Sequence, residues 1–223
     1  MLFRSQWRKT PRDDMDDCRA CEIDTEVKGL IHRRKWEEAI QAAQPVIRGE
    51  VRCRTVPERT YSSLIIAELS RGNLDRAGQA FEKGYRLVAG DPDYIGVICW
   101  HLAYLTRVMD FARGLRLVER HLPWVSQVNN PDTQMGFYGH TGNFFERLAS
   151  QRPRTKKVRI PELLPIYSDE ERYLPAKLAE WFQDQAAQIA ARFDARNGNP
   201  YITWSLGDNR ALSLALERQE YRA

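Results

Sequence analysis

Large apolar residues recur along the first half of the chain at a nearly fixed interval. Trp36, Leu74 and Phe111 lie 38 and 37 positions apart, and each is followed three residues later by a small residue: Ala39, Ala77 and Gly114. Ala43, Phe81 and Val118 stand seven residues after the large ones. Nine and thirteen residues upstream sit Val27 with Ile23, Ile65 with Tyr61, and Leu102 with Ile98. Residues four apart share one face of a helix. Each unit therefore predicts two helices, the first carrying an apolar ridge and the second a large–small pair that allows close approach. Polar breaks at 32–35 and 71–73 and the segment 107–110 separate them. Such a hairpin cannot bury its own face, so successive hairpins must stack.

The second unit carries the pattern most fully. Its run Gly72-Asn73-Leu74-Asp75-Arg76-Ala77-Gly78-Gln79-Ala80-Phe81, followed by Asp91-Pro92, resembles a tetratricopeptide repeat. Ala77, Phe81 and Pro92 match that family's small, aromatic and proline positions. The glycine and tyrosine of its first helix are missing here, and Gly114 and Val118 replace the Ala and Phe in the third unit. The spacing also exceeds the family's period of about 34. The resemblance covers residues 20–125 and implies an all-α fold of stacked antiparallel hairpins, wound as a superhelix. It also implies a concave groove lined by the first helices.

Beyond the repeats, Leu122-Pro123-Trp124 is expected to close the third hairpin, since proline cannot continue a helix interior. Asn129-Asn130-Pro131-Asp132 is a turn, with Asp132 or Thr133 capping a helix to about Ser150. Gly136, Gly139 and Gly142 weaken that helix by about 1 kcal/mol each, or else permit close packing against the last repeat. Residues 151–175 hold four prolines and predict an extended crossover, with one helical turn at 168–171. A helix over 176–196 follows, with Leu178, Trp181, Phe182, Ile189 and Phe193 on its apolar face, and the stretch 197–200 stops it. The two long helices predict a fourth, capping hairpin with a long insertion. Gly207-Asp208 suggests a cap for a last helix over 209–221. The run 187–199 is similar to the end of some uncharacterised bacterial repeat proteins, a likeness that implies no activity. The expected division is a flexible arm at 1–19, three hairpins at 20–125 and a C-terminal helical cap at 126–223.

Composition agrees with a globular protein: 43% hydrophobic and 29% charged over 223 residues. The net charge of +4 is too small to mark a nucleic-acid protein by itself. The first residues resemble no secretory signal, and no run approaches the ~20 apolar residues that span a bilayer. A cytoplasmic protein is therefore expected. No phosphate-binding glycine loop, His-Glu-x-x-His or Gly-x-Ser-x-Gly motif is present. The four histidines are not spaced as ligand pairs on one helix. A non-catalytic protein without cofactor is the expectation. Cys18 and Cys21 form a CxxC, half of a zinc site, with His32 and Cys53 the residues that would have to complete it. Spacing alone does not join them, and Asp13, Asp14, Asp16 and Asp17 disfavour a redox thiolate. The pair reads as structural, with metal: none.

The groove that the resemblance implies defines the candidate site. The non-core stripe of the first helices comprises Asp24, Lys28 and His32, then Arg59, Ser62 and Ser70, then Cys99 and Arg107, with His101 near them. The stripe is mildly basic, so an acidic peptide of another protein or a polypeptide's carboxyl terminus is the expected guest. A second class rests on Arg152, Arg154, Lys156, Lys157 and Arg159, five cations in eight residues, which could contact phosphates of a nucleic acid without base specificity. An enzyme of unrecognised type is the third.

Overall fold

The computed structural model describes residues 11, 16–125, 127–218 and 221. Most of the proposed N-terminal arm lies outside them. The fold is all-α, with one two-residue ribbon as its named sheet. In sequence order the helices are α1 (Arg19–His32), α2 (Trp36–Ala42), α3 (Gln44–Ile47), α4 (Glu58–Ser70), α5 (Leu74–Val88), α6 (Ile95–Arg107), α7 (Phe111–Val125) and α8 (Pro131–Gln151). Strands β1 (Lys156–Lys157) and β2 (Arg172–Tyr173) follow, then α9 (Pro175–Asn197) and α10 (Tyr201–Leu214). No helix among the described residues is long and apolar enough to cross a membrane.

The sequence period returns in the backbone. Arg34, Gly72 and Met109 adopt the left-handed conformation, with φ of 56°, 74° and 58°. Each lies at the turn joining two helices of one hairpin. The next residue in each case donates its N–H five residues back: Lys35 to Leu30, Asn73 to Glu68 and Asp110 to Leu105, at 2.9, 2.9 and 3.0 Å. This is the bonding that ends a helix on a left-handed residue. The second helix then starts at once, and side chains at the junction cap two of the three. Asn73 accepts from the Arg76 N–H at 3.3 Å and Asp110 from the Arg113 N–H at 3.0 Å.

Packing follows from these turns. α1 folds on α2, α4 on α5, α6 on α7 and α8 on α9. First helices neighbour one another in the order α1, α4, α6, α8, and α2, α5 and α7 touch the first helix of the next hairpin. Ala39 and Ala77 are fully buried. At Gly114 an added Cβ would lie 2.2 Å from the Phe144 ring, so this crossing between α7 and α8 tolerates no side chain. Phe137, Phe144, Phe145 and Phe182 fill the centre of the fourth hairpin.

The structure departs from the sequence expectation at four places. α7 continues through Pro123 to Val125, because a proline in the last turn removes a single helix bond. Residues 168–171 form a tight turn instead of a helix, with the Glu171 N–H on the Ser168 carbonyl at 3.0 Å and Glu171 at φ 49°, leading directly into β2. Gly142 packs on α9, 3.1 Å from the Gln183 nitrogen and 3.3 Å from the Ala179 carbonyl as judged from an added Cβ, and not on the last repeat. The final helix spans 201–214, starting eight residues before the expected 209. Its cap is supplied across the turn: Asp194 of α9 accepts the Ile202 and Thr203 N–H groups at 2.8 and 3.0 Å. Asn199 accepts that of Tyr201 at 3.1 Å. Gly207 and Asp208 therefore lie inside a helix, and Ala215, at φ 60°, ends it.

Candidate partner groove and the helix that fills it

α10 and the residues after it lie along the ends of the first helices. The Tyr201 hydroxyl meets His32 Nδ1 at 3.2 Å, at the end of α1. Arg34, in the first hairpin's turn, reaches Asp208 at 2.9 Å. Arg218 binds Asp208 from the other side at 2.8 Å, donates to Ser70 of α4 at 2.7 Å, and stacks 5.3 Å over the Trp36 ring. Arg107 of α6 donates to the Leu212 carbonyl at 3.2 Å. Arg147 of α8 donates to the Leu214 carbonyl, and Glu146 receives Arg210. Each of the four hairpins thus holds the C-terminal segment through a polar side chain.

The electrostatics favour this arrangement. The Asp208 side chain is only 10% exposed and sits between two guanidinium groups. A buried carboxylate left alone would carry a large desolvation penalty, so its two partners are a condition of its place there. Burial, with Arg147 close by, lowers the Arg107 pKa from its ordinary value.

No family model, curated protein or solved structure matches this sequence.

The expected stripe divides into three parts. His32, Ser70 and Arg107 meet α10 or the tail. Asp24 and Ser62 are buried: Asp24 accepts the Thr60 hydroxyl at 2.7 Å and pairs with Lys28 at 2.6 Å, and Ser62 donates to the Arg59 carbonyl at 2.7 Å. These two residues join α1 to α4 and close a turn of α4, so they are corrected from groove to interior. Asp24 is misplaced by the sequence reading because its charge suggested water, whereas Thr60 and Lys28 satisfy it inside. Lys28 is half-exposed and Arg59 exposed, and both stand apart from the polar contacts that hold α10. Cys99 and His101 are buried within α6.

The basic crossover is partly neutralised. Arg159 holds Glu119 of α7 with Nε and Nη2 at 3.3 and 3.0 Å, and its backbone N–H bonds the same carboxylate. Lys157 pairs with Glu171 at 3.2 Å, and Arg152 lies 5.7 Å over the Phe111 ring. Arg154 is exposed and Lys156 partly so.

Two features escaped the sequence reading. Arg34 and Asp208 are the first; they are 174 residues apart, and nothing local marks the pair. The second is a cavity of about 250 Å³ between α8, α9 and α10, lined by His140, Asn143, Ala186, Leu206 and Arg210 among others. His140 is neutral there, its pKa pushed down to about 4 by burial, and the Trp100 ring packs on it at 4.6 Å. The glycines at 136 and 139 that line this space were visible in sequence, but as helix weakeners or as points of close packing, not as the wall of a cavity.

Proposed function

We propose that the protein is a non-catalytic holder of a helical, acidic segment of another protein, built on tetratricopeptide-like repeats and working in the cytoplasm. Three equivalent left-handed turns at the sequence period, followed by buried small residues at two crossings and a close ring contact at the third, support the repeat assignment. The observation that carries the binding reading is the seat of α10. A half-buried helix with one acidic side chain already rests on the ends of the first helices, gripped by Arg34 and Arg107. A partner helix presenting a carboxylate where Asp208 now stands would meet the same groups, in the helix-in-groove mode. α10 is then a resident guest that such a partner replaces.

A fluorescent peptide of residues 200–221 probes this directly. The double variant Tyr201→Ala with Asp208→Lys removes the His32 contact and turns the Arg34 and Arg218 contacts repulsive. This variant is expected to bind the peptide at least about tenfold more tightly than the parent protein, a difference of about 1.4 kcal/mol. Adding Arg34→Glu and Arg107→Glu should erase the gain. Arg154→Ala, Lys156→Ala and Lys157→Ala together should leave it unchanged. Equal, undetectable binding in parent and double variant contradicts the reading. Loss through the crossover variant with a steep salt dependence supports phosphate contact instead.

A further inference from the structure

The CxxC pair Cys18 and Cys21 and the distant Cys53 come together in space. Cys18 caps the N-terminus of α1, and Cys21 lies in its first turn. Cys53 comes from the connector between the first and second hairpins, 32 residues after Cys21. The three Sγ atoms lie within 4.8 Å of one another, and those of Cys21 and Cys53 are 3.3 Å apart. Sulfurs on a tetrahedral zinc, with bonds of about 2.3 Å, are separated by about 3.8 Å, inside that range.

The local backbone is shaped around these sulfurs. The Cys21 N–H points to the Cys18 Sγ at 3.4 Å. The backbone turns sharply after Cys53, whose N–H bonds the Val56 carbonyl at 3.0 Å, and the Thr55 hydroxyl lies 4.0 Å from the Cys53 sulfur. Amide donors to sulfur stabilise thiolate, the form a metal requires. A disulfide would use two of the sulfurs and leave the third without a role, whereas one metal ion uses all three.

We propose that Cys18, Cys21 and Cys53 bind one zinc ion as a three-thiolate site, with an oxygen donor in the fourth position. No fourth histidine, cysteine or carboxylate joins the cluster among the described residues. His32 is engaged with Tyr201 and is not a ligand. The fourth donor is water. Binding displaces the thiol protons to solvent and leaves the thiolates' electron pairs on the metal, with no redox step. The ion would tie the start of α1 to the connector before α4 and so fix the first hairpin against the second. This site is independent of the groove and survives if the groove reading fails.

The test uses the full-length protein, reduced and stripped of metal, with Co²⁺ as the spectroscopic probe. One equivalent of Co²⁺ is expected to give thiolate-to-cobalt charge-transfer absorption and tetrahedral ligand-field bands, both removed by Zn²⁺. Changing Cys18, Cys21 or Cys53 to Ser should each weaken binding by about 100-fold or more, since even indirect partners of a ligand cost about 10–100-fold. Cys99→Ser, in the interior of α6, should leave it unchanged. A second measurement does not depend on variants that fold. Zn²⁺ should slow alkylation of Cys18, Cys21 and Cys53 in the parent protein, and a chelator should restore it. Three results each overturn the proposal. One is the absence of cobalt bands at tenfold excess. Another is unchanged alkylation with zinc. The third is a Cys21–Cys53 disulfide in protein isolated without oxidant.

Discussion

In the hairpin of α4 and α5 the small residue at the repeating position is an alanine, fully buried at Ala77. In the hairpin of α8 and α9 the close approach is made by Gly142, where an added Cβ would fall 2.6 Å from Gln183 Cγ and against the α9 backbone. The first of these two hairpins also uses a glycine, since an added Cβ at Gly84 would fall 2.6 Å from Tyr61 Cβ of α4, but a short local turn sets its crossing. Both give up helix propensity, about 1 kcal/mol per glycine, but in the second the glycine meets the partner helix's backbone and brings two long helices together without a short turn. The first hairpins repeat because their turns are local, each a left-handed residue with a bond five residues back. The last hairpin does not repeat, because its partner helix arrives after a crossover of more than twenty residues. It also carries α10, which caps itself on Asp194 of α9.

The largest expected effect lies at the seam of these two regions. Phe144 of α8 is fully buried and packs on Gly114 and Phe111 of the third hairpin. Phe144→Ala should destabilise by about 3–5 kcal/mol. If the two regions form one folding unit, the variant unfolds in a single transition at lower temperature. Two separated calorimetric transitions would break the comparison into two domains.

Acid should act on both regions. His101 and His140 are pushed down to about 4 and His121 to about 3, in each case chiefly by burial, with Arg120 adding repulsion at His121. Histidine in the unfolded state titrates near 6.5. Between those values the unfolded state binds more protons, so the stabilisation is whole above about pH 6.5 and falls as pH drops toward 4. Each histidine contributes a slope of up to about 1.4 kcal/mol per pH unit. Melting temperature should decline steadily from pH 6.5 to 4.5. A flat profile would mean that these side chains gain water or partners on protonation.

Ala77→Leu and Gly142→Ala sharpen the contrast between the crossings. Both should destabilise by about 1–3 kcal/mol through overpacking, the second in spite of better helix propensity. Gly136→Ala, in the same helix as Gly142, is the smallest effect and has the opposite sign. Its added Cβ meets only Cys99 Sγ at 4.0 Å, so the change should stabilise by about 0.5–1 kcal/mol. Chemical denaturation of the three variants checks the signs.

How far the sequence could be read follows the same division. The six helices of the first three hairpins are legible because apolar spacing and short polar breaks act within a few residues. Pro123 and Gly207 mislead because their usual meaning is local, while a helix end and a cap from Asp194 decide the outcome. The stripe expected along the first helices splits in the structure. His32, Ser70 and Arg107 meet α10 or the tail, yet Asp24 is buried because Thr60, 36 residues away, satisfies it. Neither the Arg34–Asp208 pair nor the approach of Cys53 to Cys18 and Cys21 leaves a spacing signal. Both need the hairpins to be stacked first.

The groove can be tested by nuclear magnetic resonance, with the Tyr201→Ala, Asp208→Lys variant isotopically labelled and the unlabelled peptide 200–221 added. Backbone amide signals of His32, Ser70 and Arg107 are expected to shift together and saturate at one peptide per protein molecule. Shifts confined to residues 152–159, or none at all, would contradict it.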